Sequence, residues 1–432
     1  MALIPALAPF VAAAAEPTTQ QLQAEIRALR ARLESLERHL SSGKTTLLEE
    51  KNSARVLVDE KGFRITSADE AHELRVGGYI QAQGRAFADD ASDADTFLLR
   101  RARLVVEGKV FEDFRFRLMP DFAGDEVTLQ DGYVEWAPDA AFTLRAGKFK
   151  SPVGLERLQS ATALWFPERG LPTNLVPNRD VGVMIYGDPW DGRVHYDLAL
   201  LNGVPDGGSF KNTDENQGKD VAARLFLSPF KSSKITALKG LSLGVAGTIG
   251  THEGPAASYR TPGQQTYFRY GSGVATDGEH YRIAPQLFWG IGPVGLLAEY
   301  VVSQQSLSLA GQREDLTNHA WQVAAQWVIT GEDAKLGNVK PKRSVHDGGP
   351  GAWFLAARYG ELDIDDDAFA LGFASPLTSA SETRSAGVAL NWLPNPNVKA
   401  TLSYDHTTFD GGRVSGDRAA EEVFIGQLQL AF

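Results

Sequence analysis

From about residue 73 to the C-terminus, apolar and polar residues alternate with a period of two, in stretches of roughly ten residues separated by Gly, Pro, Asp or Asn. Successive side chains of a β-strand point to opposite faces, so this pattern commits the chain to two-faced strands and argues against a helical core. In 96–110, one parity carries Leu98, Ala102, Leu104, Val106 and Val110, and the other Arg101, Arg103, Glu107 and Lys109. In 114–121, Phe114, Phe116 and Leu118 oppose Arg115, Arg117 and Asp121. In 142–147, Phe142, Leu144 and Ala146 oppose Thr143 and Arg145.

Sixteen such segments can be placed, near 73–84, 97–110, 113–121, 127–137, 141–147, 181–189, 193–203, 219–228, 239–250, 280–291, 293–303, 318–331, 351–361, 383–393, 397–406 and 421–432. Sixteen strands overfill a single sandwich core. A barrel in lipid accommodates them, with apolar residues outside and charge in a watery bore. Trp136, Trp190, Tyr196, Trp289, Trp327, Trp353, Trp392 and Tyr404 fall at segment ends, where the aromatic girdles of such barrels sit. The last strand ends in Phe432, the aromatic terminus by which outer-membrane barrels engage their assembly machinery.

Composition removes other classes. There is no Cys, so disulfide scaffolds, Cys-based metal sites and cysteine nucleophiles are excluded. With 43 Lys+Arg against 54 Asp+Glu, the net charge of −11 argues against a nucleic-acid binder.

Residues 1–15 resemble a secretory signal: Leu3, Ile4, Leu7, Phe10 and Val11 form a short apolar run before Ala12–Ala15, although the positive start is missing. In 20–40, Leu22, Ile26, Leu29, Leu33, Leu36 and Leu40 are spaced alternately by four and three, the a/d seam of a coiled coil. A helix with so narrow a stripe needs copies of itself to pack on. Residues 41–72 read as a linker with short strands at 55–58 and 63–66. The expected fold is all-β: a 16-stranded antiparallel transmembrane β-barrel over 73–432, with an N-terminal α-helical coiled-coil segment.

The segments FLLRRARLVVEGKV (97–110), FEDFRFRLMPDFAG (111–124), LQDGYVEW (129–136), LRAGKFKSPVGLE (144–156), FPERGLPTNLVPNRDVGVMIYGD (166–188) and YDLALLNG (196–203) together resemble the porin O/P family of phosphate-selective outer-membrane porins. TGED (330–333) and the terminal strand match more loosely, and 205–320 shows only barrel-like alternation. The resemblance implies a homotrimeric sixteen-stranded barrel that passes anions along arginines and lysines, in some members with an N-terminal coiled coil. It also marks Lys148 and Lys150 as the family's loop lysines and Asp131 as a lumen-facing acid.

The residues themselves suit that chemistry. An oxyanion trades its water shell for donors at several sites of moderate affinity; Arg offers a planar fork and Lys a mobile point charge. By parity, Arg101, Arg103, Lys109, Arg115, Arg117 and Arg145 face the bore, whereas Arg100 falls on the other parity, which suits a rim, a bulge or a face toward a neighbouring subunit. The stretch 148–180 is broken by Pro152, Pro167, Pro172 and Pro177 and reads as a long loop. In trimeric porins the matching loop folds inward, which makes Lys148, Lys150, Arg157, Arg169 and Arg179 candidates for the constriction. Summed charge gives no preference: residues 97–180 hold twelve Arg+Lys and twelve Asp+Glu.

The eight His show no ligand spacing and read as solvated or loop residues. The acidic runs at Asp89-Asp90 and 363–367 read as loop tips, open to a cation bridging lipopolysaccharide but without an EF-hand pattern. No cofactor, metal site or catalytic constellation is expected. The expectation is a bacterial outer-membrane diffusion channel for phosphate, polyphosphate or other small anions, trimeric, with a periplasmic stalk. The alternatives are a general or carboxylate-passing porin, a barrel enzyme, or a cell-wall anchor.

Overall fold

The computed structural model describes residues 19–51, 53–60, 62–88, 94–211 and 217–432. The signal-like segment 1–15 and the acidic pair at 89–90 lie outside the described residues, as do the side chains of Leu22 and Leu40. The chain divides into two units. Among its described residues the first holds one helix, α1 (Thr19–Lys51), which continues well past Leu40. Its seam residues Ile26, Leu29, Leu33 and Leu36 are 50–60 % exposed. Among the described residues, no helix is long and apolar enough to cross a membrane.

The second unit is a closed antiparallel barrel of sixteen strands: β1 (Glu73–Phe87), β2 (Thr96–Val110), β3 (Phe114–Asp121), β4 (Thr128–Asp139), β5 (Phe142–Lys150), β6 (Arg179–Gly187), β7 (Val194–Leu201), β8 (Asp220–Leu227), β9 (Gly240–Pro255), β10 (Ala275–Ile291), β11 (Val294–Leu309), β12 (Gln312–Val328), β13 (Ala352–Asp363), β14 (Ala380–Leu393), β15 (Val398–Arg413) and β16 (Glu421–Ala431). Each strand pairs with the next, and β16 returns to β1 with Leu430 opposite Ile80, so no edge is left for lipid to meet. Phe432 completes the seam through reciprocal backbone bonds with Gly78, at 2.8 and 2.9 Å. Two short strands, Arg55–Asp59 and Gly62–Thr66, pair with each other, and the second lengthens the sheet beside the start of β1.

Alternation explains the closure. Outward positions such as Leu99, Val134, Leu198, Val245, Val388, Leu402 and Leu428 are exposed and apolar, while inward Gln81, Arg282, Asn318, Gln322 and Asp405 are buried and polar. This inverts a water-soluble protein and suits hydrocarbon outside. Trp136, Trp289, Trp327, Trp353 and Trp392 cluster at the end that carries Phe432; Trp353 and Trp392 stack at 5.4 Å, and both indoles donate to the Pro350 carbonyl.

The bore is not empty. The segment 151–178 leaves β5 and crosses to the opposite wall, where Leu155, Trp165 and Phe166 pack on Leu297, Ala324, Phe354 and Ala389. Asn391 and Lys399 donate to the Trp165 and Leu164 carbonyls. From the same end, 256–274 inserts a small hairpin whose Tyr259, Tyr267 and Phe268 are buried against Val153, Leu171 and Leu175. From the end that carries Phe432, 329–351 rises until Ala334 and Val339 join the same packing as Trp165. These inserted segments thus plug the β9–β15 half of the bore, packing apolar residues among the polar side chains of the wall.

Candidate functional site

A cavity of 1320 Å³ runs along β1–β8, walled on the far side by 151–178. It is lined by twelve cations (Arg100, Arg101, Arg103, Arg117, Arg145, Lys148, Lys150, Arg157, Arg169, Arg179, Lys211 and Arg224) and four carboxylates (Asp121, Glu126, Asp131 and Asp197). The even balance of the sequence has been sorted in space: most acids point elsewhere. Low-dielectric walls around a charged cleft focus its field, so this excess is felt throughout the passage.

The strands present the arginines as a ladder. Arg103 bonds Asp121 at 2.7 Å and the Tyr79 hydroxyl at 2.8 Å. Arg117 meets Glu107 and, at 3.3 Å, Asp131. Arg145 is paired to Glu135 at 2.7 Å and lies over the rings of Tyr133 and Tyr186, 4.3 and 4.6 Å from their centroids. Arg179 takes the other oxygen of Asp131 at 2.8 Å. Asp131 is thus the shared counterion of Arg117 and Arg179. Lys109 and Arg115 stand opposite each other on β2 and β3, with the inward parity, outside the cavity lining.

Two placements differ from simple alternation. A bulge sets Gln81 opposite Arg101 but Ala82 opposite Leu99, so Arg100 is the extra residue. Both Arg100 and Arg101 therefore reach the passage, and Leu98 moves from the outward face to lie opposite inward Gln83. The second is at Lys148 and Lys150, which share parity with outward Leu144 and Ala146. Gly147 between them takes φ 130°, and a Cβ there would sit 2.3 Å from the Gly132 carbonyl. The pairing register runs unbroken through this glycine, Phe149 stays inward against Met184 and Ala199, and both ammonium groups line the passage from the end of β5. Gly147→Ala should cost about 1–3 kcal/mol, read as a lower temperature for loss of the heat-resistant barrel on gels.

β5 runs through Lys150 and β6 begins at Arg179, so Lys148, Lys150 and Arg179 stand on strand ends rather than in the loop, which spans 151–178. Lys148, Lys150, Arg157 and Arg169 make no ion pair with a carboxylate among the described residues. Lys148 donates to Phe210 O at 2.7 Å; Lys150 donates to Leu158 O and Gln159 O at 3.1 and 2.7 Å. Arg157 donates to Thr173 O, and Arg169 to Glu156 O and Gln159 O at 3.0 and 2.9 Å. Arg157 Nε has no hydrogen-bond partner among the described residues. Carbonyl dipoles orient these groups without cancelling their charge. Burial pulls the Arg157 guanidinium down to about 10, helped by Arg179, and Arg169 to about 9, helped by Arg157; both stay charged at neutral pH.

Arg224, Lys211 and His195 were not legible as lining residues. Arg224 sits on β8, outside the motif block, and Lys211 in a loop whose fold no pattern announces. Two histidines correct the expectation of solvated rings. His252 is buried against Asp220 at 2.7 Å, and His280 against Ser303 at 2.9 Å, in a network where Arg282 holds Asp206 at 2.7 Å and ties 202–211 to the wall. Among the described residues, no group of side chains could hold a metal.

The family described as phosphate-selective porin O and P matches residues 74–432. The chain belongs to this family, and it is an outer-membrane porin. The porin is 22 % identical to Porin O of Pseudomonas aeruginosa over 424 residues, covering 87 % of this chain and 92 % of that one. Its fold is similar to that of the outer-membrane channel DcaP of Acinetobacter baumannii, with a TM-score of 0.57, 11 % identity and coverage of 84 % and 98 % of the two chains. The anion-selective porin from Comamonas acidovorans gives a TM-score of 0.54 at 11 % identity, over 84 % of the porin and all of that chain. These relatives are channels, not enzymes.

Proposed function

We propose that the porin is a passive channel for small anions, with phosphate the solute its passage suits best. The carrying observation is the cluster of Lys148, Lys150, Arg157 and Arg169, whose direct partners are neutral carbonyls. A fixed positive charge without a fixed counterion is completed by a mobile one, and a compact oxyanion can take several such donors at once. The carboxylate-paired arginines on either side bind more weakly and carry the ion toward and away from the cluster.

Reconstituted in planar bilayers, the porin should give reversal potentials set by the anion in chloride gradients, and added phosphate should block chloride current. Cation-set potentials would reject the reading; equal block by phosphate and a dicarboxylate would favour a carboxylate-passing channel.

The proposal extends to assembly. The exposed stripe of Ile26, Leu29, Leu33 and Leu36 on α1 suits a homotypic, three-stranded periplasmic stalk, about 50 Å long at 1.5 Å per residue. Leu29→Asp with Leu36→Asp should abolish association of an isolated 19–51 peptide in sedimentation, and leave the barrel heat-resistant in the full chain. Undisturbed peptide association would remove the seam. Phe432, set at the closing seam, is assigned to engagement of the assembly machinery.

A further inference from the structure

The loop that crosses the bore carries one carboxylate to the ladder. Glu168 is 3 % exposed. Its Oε1 accepts from Arg100 Nε at 2.5 Å, Arg85 at 3.0 Å and Gln83 at 3.2 Å. Its Oε2 accepts from Arg100 Nη2 at 3.0 Å and lies 3.7 Å from Arg101. Burial by itself would raise this carboxyl; Arg100, Arg101 and Arg85 hold it down to about 2, so it is ionised whenever the channel works.

Three guanidiniums around one carboxylate are drawn together and partly neutralised. The four carbonyl-held cations have no such partner. We propose that Glu168 is a positioning residue that divides the passage into a compensated stretch (Arg100, Arg101) and an uncompensated one (Lys148, Lys150, Arg157, Arg169), and so keeps anion binding weak enough for release. This rests on the anion-channel reading. A built-in carboxylate competes with an arriving oxyanion for the same forks, which lowers affinity where Arg100 and Arg101 line the route. Conduction needs this, since a site that holds its ion too well does not pass it on.

The experiment is single-channel conductance against inorganic phosphate concentration. For Glu168→Gln, the half-saturating concentration should fall about tenfold, the ratio given by about 1.4 kcal/mol of added attraction, and the plateau conductance should fall with it. Glu168→Asp, which keeps the charge, should restore most of the wild-type value. Arg85→Gln should act with the opposite sign, because Glu168 then bears harder on Arg100 and Arg101: half-saturation rises about threefold. If Glu168→Gln does not assemble, the sign for Arg85→Gln decides. Unchanged half-saturation, or shifts of the same sign in both variants with wider passage of neutral solutes, would reduce Glu168 to a tether and overturn the proposal. The wild-type reversal potential reports separately on the channel reading.

Discussion

Lys150→Glu should lower the permeability ratio of anions over cations by about tenfold or more, because a narrow, low-dielectric passage focuses each fixed charge. Lys150 Nζ is held by Leu158 O and Gln159 O, which orient it without neutralising it. The exchange removes one positive charge, adds a negative one beside Asp131, and sets a carboxylate against two carbonyls. Lys150→Gln, which keeps donors toward those carbonyls, should show about half the effect in logarithmic terms. Asp366→Asn, on the exposed loop after β13, should leave the ratio unchanged. Reversal potentials across a salt gradient read all three, and equal effects for Lys150→Glu and Asp366→Asn would remove Lys150 from the constriction.

Arg358→Met should be the most damaging single change to the barrel's interior. Arg358 on β13 reaches Asp405 on β15 at 2.8 Å, donates to the Glu168 carbonyl at 2.7 Å, and lies 4.1 Å from the Phe166 ring centroid. Arg358 and Asp405 are 3 % and 1 % exposed. Removing one partner of a buried pair leaves the other charge without compensation, at a cost of about 3–5 kcal/mol. The loop end at Phe166–Glu168 loses its hold on the wall in the same step. The expected result is a lower unfolding temperature on heated gels together with larger, noisier conductance. Arg358→Met combined with Asp405→Leu should recover most of the stability, since an apolar pair of similar volume replaces a buried ion pair at little cost. Recovery of stability without recovery of conductance would show that the bond to the Glu168 carbonyl, rather than the ion pair, positions the loop.

The barrel was legible because lipid imposes the simplest code a strand can carry. Each outward residue must be apolar and each inward one is free to be polar, so β1–β16 announce themselves by alternation, one strand at a time. Much of the arginine ladder followed from the same rule: Arg101, Arg103, Arg117 and Arg145 line the cavity from the parity on which they were read. The rule failed where the backbone breaks step. The bulge opposite Gln81 turned Arg100 inward and Leu98 with it. A one-residue slip changes the face of every side chain beyond it, and alternation by itself does not locate the slip.

The sequence by itself determined a closed, lipid-facing cylinder and a supply of basic side chains, because both depend on neighbours one or two residues away. Only the tertiary structure decided which cations remain uncancelled. Of the twelve bases and twelve acids between 97 and 180, ten bases but three acids (Asp121, Glu126 and Asp131) line the passage; Glu107, Glu135 and Glu168 meet lining arginines without lining it themselves, and Glu156 turns to the Gly170 N–H and Gln322. Whether a charge is cancelled depends on what lies within about 4 Å in space, and those contacts join residues, such as Glu168 and Arg85, that stand far apart along the chain.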